Sequence, residues 1–305
     1  MNRIRLQAYG KINLSLDVLR QRPNGYHDVR MIMQTVKLHD NIDMERTDTP
    51  GIVLKTNLPF LPVNENNLMY RAAKMLMDEF HLEGGVRMSL RKVIPVAAGM
   101  AGGSADAAAV LYGMNRLFDL RLSLEELKKR GVQLGADIPF CLMRGTALSE
   151  GIGEILTPLP ALPACSIVLA KPAISVSTKA VYENLHVNTL PAEAHPDVDQ
   201  VIEALTVQDV RAVAGRMGNI LETVTSRQHP EIDAIKERMM ALGALNAMMS
   251  GSGPTVFGLF DDPEKAQACY RALLSAKGKG IAKQVYLTEP WQRPSRTSPS
   301  CPARL

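Results

Sequence analysis

Cysteine is scarce and unpaired in this chain. Cys141, Cys165, Cys269 and Cys301 stand far apart with no Cys-x-x-Cys spacing, which argues against a zinc site and a disulfide framework and fits a reducing cytoplasm. No apolar run reaches membrane-spanning length, and Met1 to Val18 alternates polar and apolar residues where an export signal would be continuously apolar. The expectation is a cytoplasmic protein, neither exported nor embedded. A basic stripe is missing too: the formal charge is +4, but Arg293, Arg296 and Arg304 lie in the last fifteen residues with no acid among them. The body is close to neutral, so no nucleic acid or membrane partner is indicated. His39, His81, His186, His195 and His229 show no metal-ligand spacing. Both common nucleotide motifs are absent as well, since no Lys follows the glycines as in Gly-x-x-x-x-Gly-Lys-[Ser/Thr] and Gly-x-Gly-x-x-Gly does not occur.

What the chain does have is a glycine-dense stretch from Pro95 to Ala108, Pro-Val-Ala-Ala-Gly-Met-Ala-Gly-Gly-Ser-Ala-Asp-Ala-Ala. Gly99, Gly102 and Gly103 lose much conformational entropy on folding, a cost usually tied to close approach of backbone to a ligand. The run from Ser104 to Phe118, rich in Ala and Leu, predicts a helix. The glycines then stand at its N-terminus, where free amides and the helix dipole favour an anion, phosphate first. The competing reading is a tight turn before a helix whose Ala105, Ala108 and Ala109 pack closely on one face.

With 305 residues, 46% of them hydrophobic and 22% charged, the chain suits one large or two ordinary soluble domains. From Ile4 to Val18 the apolar residues recur with period two, which predicts a strand. Its opposite parity carries Lys11, Asn13, Ser15 and Asp17, and on pattern alone that face is solvated. Pro23-Asn24-Gly25 marks a turn into a second strand over Val29 to Leu38, with further strands at Asn41 to Arg46 and Gly51 to Thr56. Asn66 or Asn67 caps a helix with Leu68, Ala72, Met75, Leu76 and Phe80 on its apolar face. Val86 to Val93 then delivers the chain into the glycine loop. Ser123 to Glu126 has capping-box spacing, and the helix it opens ends between Gly131 and Gly135. Asp137, just before Ile138-Pro139, reads equally as an N-cap. Strands are expected at Gly145 to Leu148 and Ile152 to Leu156, and Pro158, Pro160 and Pro163 mark a domain boundary.

The second half predicts strands at Ser166 to Ala170, Asn246 to Met249, Val256 to Phe260 and Ile281 to Leu287. Helices are expected at Asp197 to Leu205, Val207 to Met217, Glu231 to Leu242 and Pro263 to Ala276. Interleaved in this way, the elements predict an α+β sandwich. The division is 1–160, 161–289 and a Pro, Ser and Arg rich tail, 290–305, expected to be unfolded.

Three motifs stand in order: Gly10-Lys-Ile-Asn-Leu14, the stretch from Pro95 to Ala108, and Gly251-Ser-Gly-Pro-Thr-Val-Phe-Gly258. Together they resemble the galactokinase, homoserine kinase, mevalonate kinase and phosphomevalonate kinase (GHMP) superfamily. Pro23-Asn-Gly-Tyr-His27 and Leu134-Gly-Ala-Asp-Ile-Pro139 resemble the signatures of its branch acting on a cytidine-diphosphate-linked alcohol. The resemblance implies an N-terminal domain of the ribosomal-protein-S5 type, a ferredoxin-like C-terminal domain and a site between them that uses ATP and Mg²⁺. It implies that Pro95, Val96, Ala97, Ala98, Gly99, Met100, Ala101, Gly102, Gly103 and Ser104 wrap the phosphates, and that Lys11 and Asp137 carry the chemistry. Asn13, Tyr26, His27, Thr178 and Tyr182 bind the substrate by the same resemblance, Tyr26 and Tyr182 stacking on the base with His27 at the cytosine edge. Met100, Ala101 and Ala105 depart from the usual Leu, Gly and Ser, which leaves Ser104 as the loop's hydroxyl; the metal ligands are left unassigned. The expected partner is a small molecule, with the chain a monomer or weak homodimer. A sibling kinase acting on mevalonate, homoserine or a sugar is the first rival reading, and a non-catalytic nucleotide or RNA binder on the same fold is the second.

Overall fold

A computed structural model describes residues 1–275 and 281–292. Its first half is organised on one long hairpin, β1 (Arg3–Gln21) against β2 (His27–Thr47). The separate strands expected at Val29 to Leu38 and Asn41 to Arg46 are therefore a single one. There follow β3 (Gly51–Thr56), α1 (Leu68–Glu79), β4 (Gly85–Arg91), α2 (Gly102–Leu117), α3 (Leu124–Leu134), α4 (Ile138–Met143), β5 (Thr146–Glu150) and β6 (Ile155–Pro158). Local chemistry sets the helix starts. The Asn67 side chain accepts from the Met69 amide at α1, and Ser123 and Glu126 close the capping box of α3.

The second half runs β7 (Ser166–Lys171), α5 (Thr178–Glu183), α6 (Val198–Thr206), α7 (Val210–Arg216), β8 (Gly218–Asn219), α8 (Glu222–Gln228), α9 (Glu231–Ala241), β9 (Asn246–Met249), β10 (Val256–Phe260), α10 (Pro263–Ser275) and β11 (Gln284–Thr288). Helix α7 starts later than expected because Asp209 caps it, accepting from the amides of Arg211 and Ala212. Two sheets result. The first has the order β3-β4-β2-β1-β8, with β5 paired to β2 and β6 to β5; the second is β11-β7-β10-β9. In sequence order the second reads fourth, first, third, second, the arrangement of a ferredoxin-like split βαβ unit.

The solvated face expected on β1 does not exist: Lys11, Asn13, Ser15 and Asp17 are all buried. Ile12 and Leu14 pack against Ile167, Leu169 and Phe257 of the second sheet, while Leu6 and Ala8 face the α1 and α2 side. The second sheet thus covers the apolar parity, while the polar one is closed off by Gly99 and the Gly251 turn at Lys11 and Asn13 and by His195 at Asp17. The first sheet takes β1 to β6 from the first half and β8 alone from the second, and the two cores run together, with Leu16, Met31 and Met33 clustering with Ala170, Met249 and Phe260. From the segment expected to be unfolded, Pro290 bridges Val36, the Trp291 amide donates to Thr35 O and the Gln292 amide side chain to Leu162 O. The rest of that expectation, 293–305, lies outside the described residues, as does Ala276 at the end of the expected helix. No helix among the described residues is long and apolar enough to cross a membrane.

Candidate active site

Strand β4 hands the chain to the glycine loop, and α2 begins at Gly102, two residues earlier than its sequence predicts. Ala97 and Ala101 hold positive φ, 49° and 52°, a costly conformation for residues with a Cβ and one that clusters at functional loops. Ala105 N–H is the first to bond back into the helix, to Ala101 O at 2.8 Å. The amides of Gly102, Gly103 and Ser104 are thus the helix's orphan donors. They open on a cavity of ≈ 1150 Å³, which Pro95 to Gly99 and Ala101 to Ser104 line; Met100 is buried behind it.

Lys11 and Asp137 line the same cavity. Register shifts between Tyr9 and Lys11 and between Asn13 and Ser15 re-aim β1 here. Lys11 Nζ donates to Asn13 Oδ1 (2.7 Å) and to Gly99 O (3.1 Å), while its backbone amide donates to Met100 O. The Asn13 amide is itself fixed, its Nδ2 lying 3.2 Å from Met31 Sδ. Asp137 occupies the N-cap position of α4 but caps nothing: its backbone is right-handed helical and its side chain makes no capping bond. That removes the helix-cap reading of this residue and leaves its carboxylate facing the cavity.

At the other end the turn after β1 is closed by Arg22 N–H to Tyr26 O and by Asn24 Oδ1, which accepts from the Tyr26 amide. Tyr26, 58% exposed, stands at the rim, and His27 is buried beneath it. The ring paired with Tyr182 is that of His27, with centroids 5.1 Å apart and planes at 45°. Burial pushes the His27 imidazole down, favouring its neutral form. Burial and then the Asp137 carboxylate push the Tyr182 phenol up, which puts the aromatic end of the cavity within electrostatic reach of Asp137. Thr178 Oγ1 meets Ser252 Oγ at 2.7 Å.

Several residues that hold this cavity together escape a reading of the sequence. Ser250 Oγ donates to Gly99 O (2.9 Å), so this one carbonyl receives both Lys11 and the residue just before the third motif. Asn219 Nδ2 donates to Met249 O and Gly251 O, tying that motif to β8. Lys92 lies buried between Asp40 and Asp106. Asn219 and Ser250 carry no periodic signal, and Lys92 follows Arg91 as an ordinary charged strand end would. Only Asp106, an acid inside an alanine run, was there to be noticed.

A two-part α+β fold whose cleft brings together the orphan amides of a helix start, a buried Lys and a carboxylate is that of a class of small-molecule kinases. The family models for the GHMP kinases N terminal domain and the GHMP kinases C terminal match residues 67–145 and 201–280. A 4-diphosphocytidyl-2-C-methyl-D-erythritol kinase of Lachnospira eligens is 57% identical over 95% of this chain and 99% of its own. A crystal structure of 4-(cytidine 5'-diphospho)-2C-methyl-D-erythritol kinase superposes with a TM-score of 0.80 at 32% identity, over 95% of this chain and 100% of that one. The homoserine kinase of Cytophaga hutchinsonii shares the fold at 21% identity, with a TM-score of 0.77 over 94% and 95% of the two chains. The chain belongs to the GHMP kinase family, and within it to the 4-diphosphocytidyl-2-C-methyl-D-erythritol kinases.

Proposed function

We propose that the chain transfers the γ-phosphoryl group of ATP to the 2-hydroxyl of 4-diphosphocytidyl-2-C-methyl-D-erythritol, a step of the methylerythritol phosphate route to isoprenoid precursors. One observation carries this reading: a single cavity joins the free amides of α2, the Lys11 and Asp137 side chains, and the His27 and Tyr182 ring pair. Asp137 takes the proton of the acceptor hydroxyl as its oxygen bonds to the γ-phosphorus and the bond to the bridging oxygen of ADP breaks. The Lys11 ammonium, held by Asn13 and Gly99, lowers the energy of the alkoxide-like oxygen, and the amides of Gly102 to Ser104 stabilise the phosphates. The described residues contain no group of three or more His, Cys, Asp or Glu able to hold a metal; Mg²⁺ carried on the nucleotide would screen the phosphate charge.

The chain acts in the cytoplasm in this reading, as a monomer or weak homodimer. The test is Mg²⁺ and ATP with a panel of acceptors, products followed by phosphorus NMR. Phosphorylation of the cytidyl alcohol alone is expected. Turnover of mevalonate or homoserine with the cytidyl compound ignored would overturn the assignment.

The cytosine end makes a second expectation. A base stacked on an aromatic ring gains ~1–3 kcal/mol, so Tyr182→Ala should raise KM for the cytidyl substrate about 10-fold and leave KM for ATP unchanged. A neutral His27 at the pairing edge discriminates by what it leaves unpaired. His27→Ala should accordingly weaken the preference for cytidyl over uridyl substrates, measured as a ratio of kcat/KM. Equal kinetics on the two substrates in the parent enzyme would remove this account of specificity.

A further inference from the structure

Beneath the phosphate loop lies a buried ion cluster that this mechanism leaves unused. Lys92, in the segment after β4, donates to Asp40 of β2 and, at 2.8 Å, to Asp106 Oδ2 of α2. Its Nζ also sits directly below the loop, since a Cβ added at Gly102 would lie 2.8 Å from it. All three side chains are buried, and Lys92 and Asp106 line the cavity.

The two carboxylates are not equivalent. Asp40 Oδ1 accepts from the amides of Val93 and Ile94, and its Oδ2 from Lys92, so both oxygens have donors. Asp106 Oδ2 has Lys92, but its buried Oδ1 finds no partner among the described residues. A bare ionised oxygen at that depth is strongly disfavoured, whereas a protonated one is tolerated. Burial above all raises the Asp106 carboxyl well above the usual carboxylate range; Lys92 opposes this and Asp40 adds to it. Burial is the largest influence on the Lys92 ammonium and lowers it, but its carboxyl partners raise it on balance. Two further titratable groups act on the cluster: the Cys141 thiol of α4, raised by burial first, with Asp137 and Lys11 also acting on it, and the Tyr286 phenol of β11, raised by burial and then by Asp40.

The geometry points to Asp106 as a positioning residue for the nucleotide: as the neutral acid it leaves the cluster uncharged overall rather than negative beneath the triphosphate, and at a pH where the free protein has lost that proton, triphosphate binding takes one up. This rests on ATP occupying the glycine loop. An arriving triphosphate adds negative charge above the cluster and raises the cost of an ionised Asp106 further. The sign follows from linkage. Affinity is full below the pH at which Asp106 ionises in the free protein, and it falls by up to about tenfold per pH unit above it, until the bound form ionises as well.

The experiment is calorimetric titration of a non-hydrolysable ATP analogue into the full chain and into Asp106→Asn, across about pH 6 to 9 and in buffers of different ionisation enthalpy. The variant supplies the neutral shape, so its affinity should stay within about 3-fold of the parent's at the acid end. The parent should lose affinity with rising pH and take up more protons per nucleotide than the variant, by as much as about one. The comparison cancels the nucleotide's own ionisation. Should the variant fold poorly, the nucleotide-minus-free infrared difference spectrum of the parent should gain a protonated-carboxyl band. Equal pH profiles and equal proton counts, or no such band, would make the cluster purely structural. No nucleotide binding by the parent at any pH would instead overturn the ATP reading itself, and this inference with it.

Discussion

Asp137→Asn is expected to lower kcat about 10²-fold or more, some 2.7 kcal/mol of transition-state stabilisation, while KM for either substrate changes little. The substitution keeps the shape of the side chain and removes the base. Because Asp137 makes no capping bond to α4, the melting temperature should stay where it is. That separates loss of a base from loss of a helix cap, which would cost stability and spare the rate. Lys11→Met should lower kcat on the same scale, but it also strips a donor from Asn13 Oδ1 and from Gly99 O, so some loss of stability accompanies it. Rates within a few-fold of the parent for Asp137→Asn, measured at saturating substrates, would move the base elsewhere in the cavity.

Gly102→Val should weaken ATP binding roughly 30-fold or more, about 2 kcal/mol, with the fold retained. The new Cβ would stand 2.8 Å from Lys92 Nζ and 3.0 Å from Ile94 Cγ2. A lysine end is normally free to move aside, but this one is held by two buried carboxylates. The backbone must shift instead, and with it the amides that receive phosphate. Gly99 is still less tolerant, since its φ is +72° and an added Cβ would collide with the Ser250 carbonyl oxygen. Equilibrium nucleotide binding with circular dichroism as the control reads the effect. Unchanged affinity in a folded Gly102→Val protein would make the loop a packing turn.

Much of this was legible in the chain itself, and the misses have causes. Period two gave β1, and capping chemistry gave α1 and α3, because those signals are local. The solvated face assigned to Lys11, Asn13 and Asp17 failed because the glycine loop, the Gly251 turn and His195 close over it, and no property of β1 announces what will pack on it. The start of α2 was put at Ser104 because glycine is a poor helix former, yet Gly102 and Gly103 sit in its first turn, where backbone approach matters more than propensity. The short α8 carried no signal, as seven residues give too little periodicity to read, and α4 was visible only through the N-cap reading of Asp137. In the site, the glycine loop and the Pro-Asn-Gly-Tyr-His turn were visible as motifs. Asn219, Ser250 and Lys92 were not, because each acts through a partner far away in sequence.

The Gly99 carbonyl has a consequence for how the protein comes into being. It is gripped from one side by Lys11, near the start of the chain, and from the other by Ser250, two hundred and more residues later. Strand β8 meanwhile lies against β1 through Ser15 and Leu16. As the chain leaves the ribosome from its N-terminus, the glycine loop emerges long before the serine hydroxyl that holds its Gly99 carbonyl, so this contact closes only after β9 has been made.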